Sequence, residues 1–443
     1  MRVVLLAVLR FALRVFFRRI EPLGIERVPR DGPLLFVLNH PNSLIDPLFI
    51  LCLSPRPVSF LAKAPLFRMP VVGTLVRAVG SIPVERRQDP GADLTKNREM
   101  FVRVREHLAG GGAVALFPEG TSHSDPGLKP LKTGAARIAL GVEPPSPLRI
   151  QPVGLFYTAK QTFRSSALVY FAEPFTVSPA PLDPSGEPPP DQVQALTSSI
   201  GVALAAVTLQ ADEHEAHEFV ARTERILASE RRASDDAPRP DLSTEFEFRR
   251  RILAGYYALK ARDLSRLERI RARIYRYEDR LRGAGIDPWD LPVGRFRFSR
   301  GAGRIGLFLL RSLLFLPLGL PGLVLHYLPY RLVGILSARP AGKEDVLATA
   351  KAIAAAIVFP ALWIALALGV WGLCGLPAGV LALGLAPLGG YCALRLMERA
   401  DRTLGALRSL TLWVLGRRRF LHLQVERRVL REEVLKIAAD LGV

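Results

Sequence analysis

Apolar positions along this chain follow two rhythms. Between about residues 30 and 178, short apolar runs of strand length alternate with stretches of helical periodicity. The runs 34–38, 57–62, 79–84, 113–117, 150–157 and 166–171 predict strands, while 99–109 and 133–141 predict helices. Alternation of this kind predicts an α/β domain with a mixed sheet flanked by helices. The proline-rich stretch from Pro179 to Asp191 predicts a surface connection. Residues 192–231 and 243–284 then read as helical, the second dense in Arg and Glu. Such a pattern is more simply a solvated helix face than a surface packed on anionic lipid. His214 and His217 sit among glutamates, without a cysteine or a third ligand nearby, and read as part of a solvated acidic helix rather than a metal site.

Toward the C-terminus the apolar runs lengthen. Residues 352–373 and 376–394 carry no charge, and each approaches the roughly 20 residues that cross a bilayer. A short turn containing Gly375 and Pro377 separates them. Arg339, Lys343 and Lys351 precede the pair, and Arg395, Arg399 and Arg402 follow it. The positive-inside rule then puts both flanks in the cytoplasm, with a C-terminal transmembrane hairpin between them. Residues 305–337 are apolar too, but Pro317, Pro321 and Pro329 interrupt them and Arg311 and Arg331 are costly in lipid, so a re-entrant or interfacial segment is expected. At the other end, Arg10, Arg14 and Arg18 form one basic stripe on an otherwise apolar helix. They interrupt any secretory apolar core, which makes residues 1–19 an interfacial helix. The implied partition is an interfacial helix at 1–20, an α/β domain at 21–230, a charged helical region at 231–300, a membrane region at 301–398, and a basic amphipathic tail at 399–443 containing Arg417, Arg418 and Arg419.

Composition narrows the partners. The chain has 443 residues, enough for more than one domain, and its 60 basic against 41 acidic residues leave a net charge of +19. That excess calls for an anionic partner. The long apolar runs make membrane lipid the expected one, and no nucleic-acid motif or basic–aromatic stripe is present in the sequence. Cys52, Cys374 and Cys392 are isolated in apolar surroundings, with neither metal spacing nor a disulfide framework, consistent with a reducing compartment. A nucleophilic role for Cys52 is conceivable, but a buried core thiol is the better reading.

The chemistry concentrates in Asn39-His40-Pro41-Asn42-Ser43-Leu44-Ile45-Asp46-Pro47, directly after the apolar run 34–38. It places an imidazole and a carboxylate in one turn at the end of a buried strand. Pro47 favours a helix start, so Asp46 is expected as its N-cap. A carboxylate beside an imidazole fixes its tautomer and raises its basicity, as a general base for a hydroxyl requires. The bland alternative is a polar loop in which Asp46 only caps and His40 is solvated.

Three more segments follow in order: Gly80-Ser81-Ile82-Pro83-Val84-Glu85-Arg86, Phe117-Pro118-Glu119-Gly120-Thr121, and Ile150-Gln151-Pro152-Val153. With His40…Asp46 they resemble the four blocks of the glycerol-phosphate and lysophosphatidate acyltransferase family, over about residues 25 to 170. Lys63-Ala64-Pro65-Leu66-Phe67 and Leu131-Lys132-Thr133-Gly134 resemble its intervening basic segments. The resemblance implies a glycerolipid acyltransferase-like fold at 21–230 and a membrane-bound enzyme. Its reaction would move a fatty acyl group from acyl-CoA or acyl carrier protein to a glycerol-phosphate acceptor, either glycerol-3-phosphate or 1-acylglycerol-3-phosphate, with no cofactor and no metal. His40 would be the base and Asp46 its orienter. Arg86 and Lys132 would hold the acceptor's phosphate, and Lys63 would belong to the same substrate-binding set. Gly120 and Thr121 would let backbone N–H groups approach that phosphate, while Glu119 orients the basic side chains or acceptor hydroxyls. Plain surface charge is the rival reading for Arg86 and Lys132.

Two departures stand out. The family's common spacing leaves four residues between His and Asp, and here there are five; Ser122 and His123 stand where an Arg often follows Glu-Gly-Thr. Both resemble the glycerol-3-phosphate, or dihydroxyacetone phosphate, branch more than the lysophosphatidate branch. A non-catalytic lipid-binding or scaffolding protein that kept the fold is the alternative.

Overall fold

The computed structural model describes residues 2–86, 93, 95–143, 147–231, 241–291, 298–338 and 344–442. Arg339 and Lys343, part of the expected charge flank, lie outside them. The described chain forms two compact units, one built on Met1–Asp212 and Asp241–Phe246, the other on most of the remainder.

In the first unit, helix α1 (Arg2–Phe16) leads into β1 (Arg19–Leu23) and β2 (Leu34–Leu38). Then come α2 (Ile45–Leu53), β3 (Ser59–Lys63), α3 (Pro70–Ala78), β4 (Ile82–Val84), α4 (Lys96–Ala109), β5 (Ala113–Leu116) and α5 (Gly134–Leu140). Strands β6 (Leu148–Tyr157), β7 (Ser166–Phe171) and β8 (Phe175–Val177) precede α6 (Pro190–Val207). The sheet order is β1-β7-β6-β2-β5-β3-β4, with β8 beside β6. Strands β6, β2, β5, β3 and β4 run parallel, whereas β7 and β8 are antiparallel to β6, so the sheet is mixed as expected.

Why β2 reads as an unbroken apolar run follows from its place. Leu34, Phe36 and Leu38 face a layer containing Phe17 and the α2 residues Phe49 and Ile50. Leu35 and Val37 face the opposite layer, with Val104 and Leu108 of α4, Ala136 and Ala139 of α5, and Leu204 of α6. A central parallel strand covered on both faces has no solvent side to alternate with. The short edge strands β1 and β8 were not expected; Glu21 and Pro22 in β1, and three residues in β8, give no strand signal.

The remaining helices are α7 (His214–Arg231), α8 (Leu242–Arg262), α9 (Leu264–Gly283), α10 (Phe298–Ala338), α11 (Glu344–Cys374), α12 (Leu376–Leu415) and α13 (Arg417–Leu441). The expected helical stretch 243–284 divides at Asp263, whose side chain accepts the Arg266 N–H at 2.8 Å as the N-cap of α9.

Three segments of the second unit are long and apolar enough to cross a membrane: Leu313–Ser337, Thr349–Cys374 and Leu376–Ala400. The prolines at 317, 321 and 329, expected to interrupt the first, sit inside one continuous helix. Such prolines are tolerated where a neighbouring helix packs alongside. Here the neighbour is α12: a Cβ on Gly322 would lie 2.1 Å from the Gly389 carbonyl oxygen, and Gly319 faces Cys392. The Arg399 guanidinium lies 4.3 Å from the Phe315 ring centroid. Rising numbers on α10 meet falling numbers on α12, so the two helices are antiparallel, and small residues permit their close approach.

Candidate active site

The site lies beyond the carboxyl ends of the parallel strands, where open α/β sheets place ligands. Asn39 follows β2 and ties down the turn: its amide donates to the Leu155 carbonyl at 3.0 Å and accepts the Leu155 N–H at 2.7 Å. His40 comes next, its ring stacked on Phe117 with centroids 3.8 Å apart. His40 Nδ1 and Asp46 Oδ2 are 2.8 Å apart. The five-residue spacing therefore still brings the pair together, through a sharp turn in which Ser43 takes φ 40°.

Asp46 is not the N-cap. Helix α2 begins at Ile45, with Leu44 in the cap position and no side-chain cap. The helix starts two residues earlier than Pro47 suggested, so Asp46 falls inside the first turn and reaches back. Its Oδ2 accepts the Asn42 N–H at 2.7 Å, and its Oδ1 accepts the Tyr157 hydroxyl at 2.5 Å. The carboxylate has no exposed surface. A carboxylate in a helix's first turn is also favoured by the helix dipole.

The cations assemble on the neighbouring loop. Arg86, two residues beyond β4, donates to the Gly120 carbonyl at 3.3 Å. Lys132 crosses the same residue: a Cβ on Gly120 would lie 2.8 Å from Lys132 Cε. Gly120 has φ 72°, a left-handed turn that glycine adopts without strain. Arg86 and Lys132 thus converge on Gly120. Lys63 is exposed at the end of β3, in register with Val84, on the same sheet edge.

A model of the acyltransferase family matches residues 19–155, and one described as the glycerol-3-phosphate acyltransferase 2 C-terminal domain matches residues 228–442. The chain carries an acyltransferase domain. Glycerol-3-phosphate O-acyltransferase 2 of Saccharomyces cerevisiae is 29% identical over 292 residues, covering 62% of this chain and 38% of that protein. Glycerol-3-phosphate O-acyltransferase 1 of the same yeast is 23% identical over 399 residues, covering 70% and 52%. A chloroplastic 1-acyl-sn-glycerol-3-phosphate acyltransferase of Brassica napus is 32% identical over 145 residues, covering 32% and 39%. The chain thus spans between 38% and 52% of the length of the two yeast relatives.

Within the acyltransferase domain two expected roles change. Glu119 is buried and faces inward. Its Oε1 accepts the His40 backbone N–H at 2.9 Å; its Oε2 accepts the Lys129 N–H at 2.8 Å and bonds His123 Nε2. With both oxygens used inside the protein, Glu119 braces the His40 turn against its own loop rather than orienting a substrate. The Gly120 N–H is donated to Phe117 O at 3.0 Å, so Gly120 contributes its turn and its carbonyl, not a phosphate-binding N–H. Thr121 contacts the Ser122 carbonyl through its hydroxyl at 3.3 Å.

Sequence reasoning missed Tyr157, His123 and Lys160. Lys160 Nζ donates to Ser124 Oγ at 2.8 Å and to Pro41 O at 3.3 Å, lacing the His40 turn to the 117–125 loop. Ser122 and His123, which read as a departure from the pattern, lie in that loop, where the buried His123 braces Glu119. Burial raises the Tyr157 hydroxyl's pKa well above its usual value, and the neighbouring Asp46 charge adds to it. Burial likewise lifts the Cys52 thiol to about 11, against the opposing charge of Arg10. A thiol so placed stays protonated and is a poor nucleophile.

Proposed function

We propose that this chain is a membrane-bound O-acyltransferase. It moves a fatty acyl group from the thioester of acyl-CoA or acyl carrier protein to the hydroxyl of a glycerol-phosphate acceptor, glycerol-3-phosphate ahead of 1-acylglycerol-3-phosphate. The observation that carries this reading is the His40–Asp46 pair, 2.8 Å apart, beyond the same carboxyl ends of the strands where Arg86 and Lys132 converge on Gly120. The names of the two yeast relatives support glycerol-3-phosphate as the acceptor.

Asp46 holds Nδ1 of His40, which leaves Nε2 for the acceptor. As the hydroxyl oxygen attacks the thioester carbonyl carbon, Nε2 takes its proton. The tetrahedral intermediate then collapses, the C–S bond breaks, and the imidazolium returns the proton to the departing thiolate. The thioester is already activated, so no covalent enzyme intermediate is needed. Arg86 offers a planar fork and Lys132 a point charge for the acceptor's phosphate, with Lys63 as a third cation nearby. Holding both reactants in line supplies much of the acceleration.

The domain would work on the cytoplasmic face. The apolar pair 352–394 would cross as a two-helix hairpin, with both basic flanks on that face. A C-terminal tag probed by protease in sealed vesicles should be cleaved wherever the catalytic domain is cleaved; protection of the tag alone would refute it. The function itself is tested by thiol release from acyl-CoA and acyl carrier protein against a panel of glycerol-3-phosphate, dihydroxyacetone phosphate, 1-acylglycerol-3-phosphate and unphosphorylated glycerol. Phosphate-dependent release is the expected result. Release that ignores the phosphate, or no release with any acceptor, would overturn the reading.

A further inference from the structure

We propose that Tyr157 is a positioning residue for the acyl-transfer reaction, holding the Asp46 carboxylate in the orientation and charge balance that sets the basicity of His40. The proposal rests on the function proposed above. Tyr157 is the last residue of β6 and comes to Asp46 from 111 residues away. Its hydroxyl takes Oδ1 at 2.5 Å, while Oδ2 serves His40 and the Asn42 N–H. The carboxylate thus has one oxygen for the imidazole side and one for the tyrosine, and neither is exposed.

The tyrosine ring is itself held from two sides. Phe17, buried at the α1–β1 junction, lies 5.8 Å from it between centroids, and Phe49 of α2 lies 6.0 Å away. That aromatic wedge leaves the phenol little freedom, so its hydroxyl fixes Asp46 against rotation toward the protein interior. Burial keeps the phenol protonated and hence always the donor.

The hydroxyl also tunes charge. A hydrogen bond to a carboxylate disperses its charge and weakens its hold on a neighbouring imidazolium. Removing it should make Asp46 a stronger partner for protonated His40. The other titratable groups packed on this corner are Glu119, through the His40 N–H, His123 on Glu119, and Lys160, through the Pro41 carbonyl. All three are unchanged in a Tyr157→Phe variant.

The test is Tyr157→Phe in the full-length protein in its membrane. Turnover should fall about five- to tenfold with KM for glycerol-3-phosphate nearly unchanged. The acid limb of the pH–rate profile should move upward by roughly half a unit to one unit. A second readout does not need activity: the pH dependence of His40 labelling by diethyl pyrocarbonate, followed by mass spectrometry, should shift in the same direction. An unmoved limb and an unmoved labelling curve, with or without a loss of rate, would overturn the proposal and leave Tyr157 a packing residue. If the wild-type protein transfers no acyl group, the functional reading fails, and the labelling curve alone still decides whether Tyr157 governs His40.

Discussion

The two halves of the candidate site are built differently. Around His40 and Asp46, nearly every polar atom has a protein partner: the Asn39 amide on Leu155, Asp46 between His40, Asn42 and Tyr157, and Glu119 between the His40 turn and its own loop. Around the phosphate-binding cations the side chains are less enclosed: Arg86 is half-buried, and Lys132 and Lys63 are exposed. A base must be held within a fraction of an ångström of its proton, and a buried network does that. A phosphate is large, carries diffuse charge and must enter and leave, so cations on solvated stems suffice. Rigid chemistry beside adaptable binding is the lesson of the comparison.

Breaking the rigid half should cost most. His40→Ala is expected to lower turnover about a hundred- to ten-thousandfold while the protein stays folded and in the membrane. Asp46→Asn should come close to that, because the amide cannot hold the imidazolium. A radiolabelled acyl-transfer assay measures both, and near-normal turnover in either removes the base assignment.

The adaptable half should answer differently. Arg86→Ala should raise KM for the phosphorylated acceptor about ten- to hundredfold, the loss of a charge-assisted bond worth roughly 1.5–3 kcal/mol. KM for the acyl donor should hardly move. An equal rise for both substrates would mean that the cations face the donor. Gly120→Ala should sharpen the contrast at smaller amplitude. Its φ of 72° disfavours alanine, by about 1 kcal/mol, and the new methyl must displace the Lys132 stem. A severalfold rise in acceptor KM and a fall of a few degrees in Tm are expected, read by kinetics and thermal unfolding.

The smallest effect is expected at Cys52. Burial raises its pKa to about 11, so near neutral pH the thiolate is scarce and iodoacetamide should leave acyl transfer unchanged. Inactivation that acceptor or donor prevents would place a thiol in the mechanism and contradict the His40 route.

Much of this was legible in the sequence for a physical reason. Strand β2 announced itself because burial on both faces forces a continuous apolar run, and His40 and Asp46 because they share one turn. The edge strands β1 and β8 were not, since half-exposed short strands tolerate Glu21, Pro22 and Thr176. Tyr157 sat in a correctly expected strand, but its role depends on a contact across 111 residues that no local pattern encodes. Glu119 was read toward the substrate because a motif names a residue without saying which way its side chain turns. The unbroken α10 escaped for a similar reason: its prolines are accommodated by α12, a neighbour that only the fold supplies.

The division of labour is tested most directly by measuring kcat and KM for glycerol-3-phosphate side by side in His40→Ala and Arg86→Ala. The expected result is a collapse of kcat in the first with little change in KM, and a rise of KM in the second with kcat largely kept. Substantial turnover by His40→Ala, or a loss confined to kcat in Arg86→Ala, would contradict it.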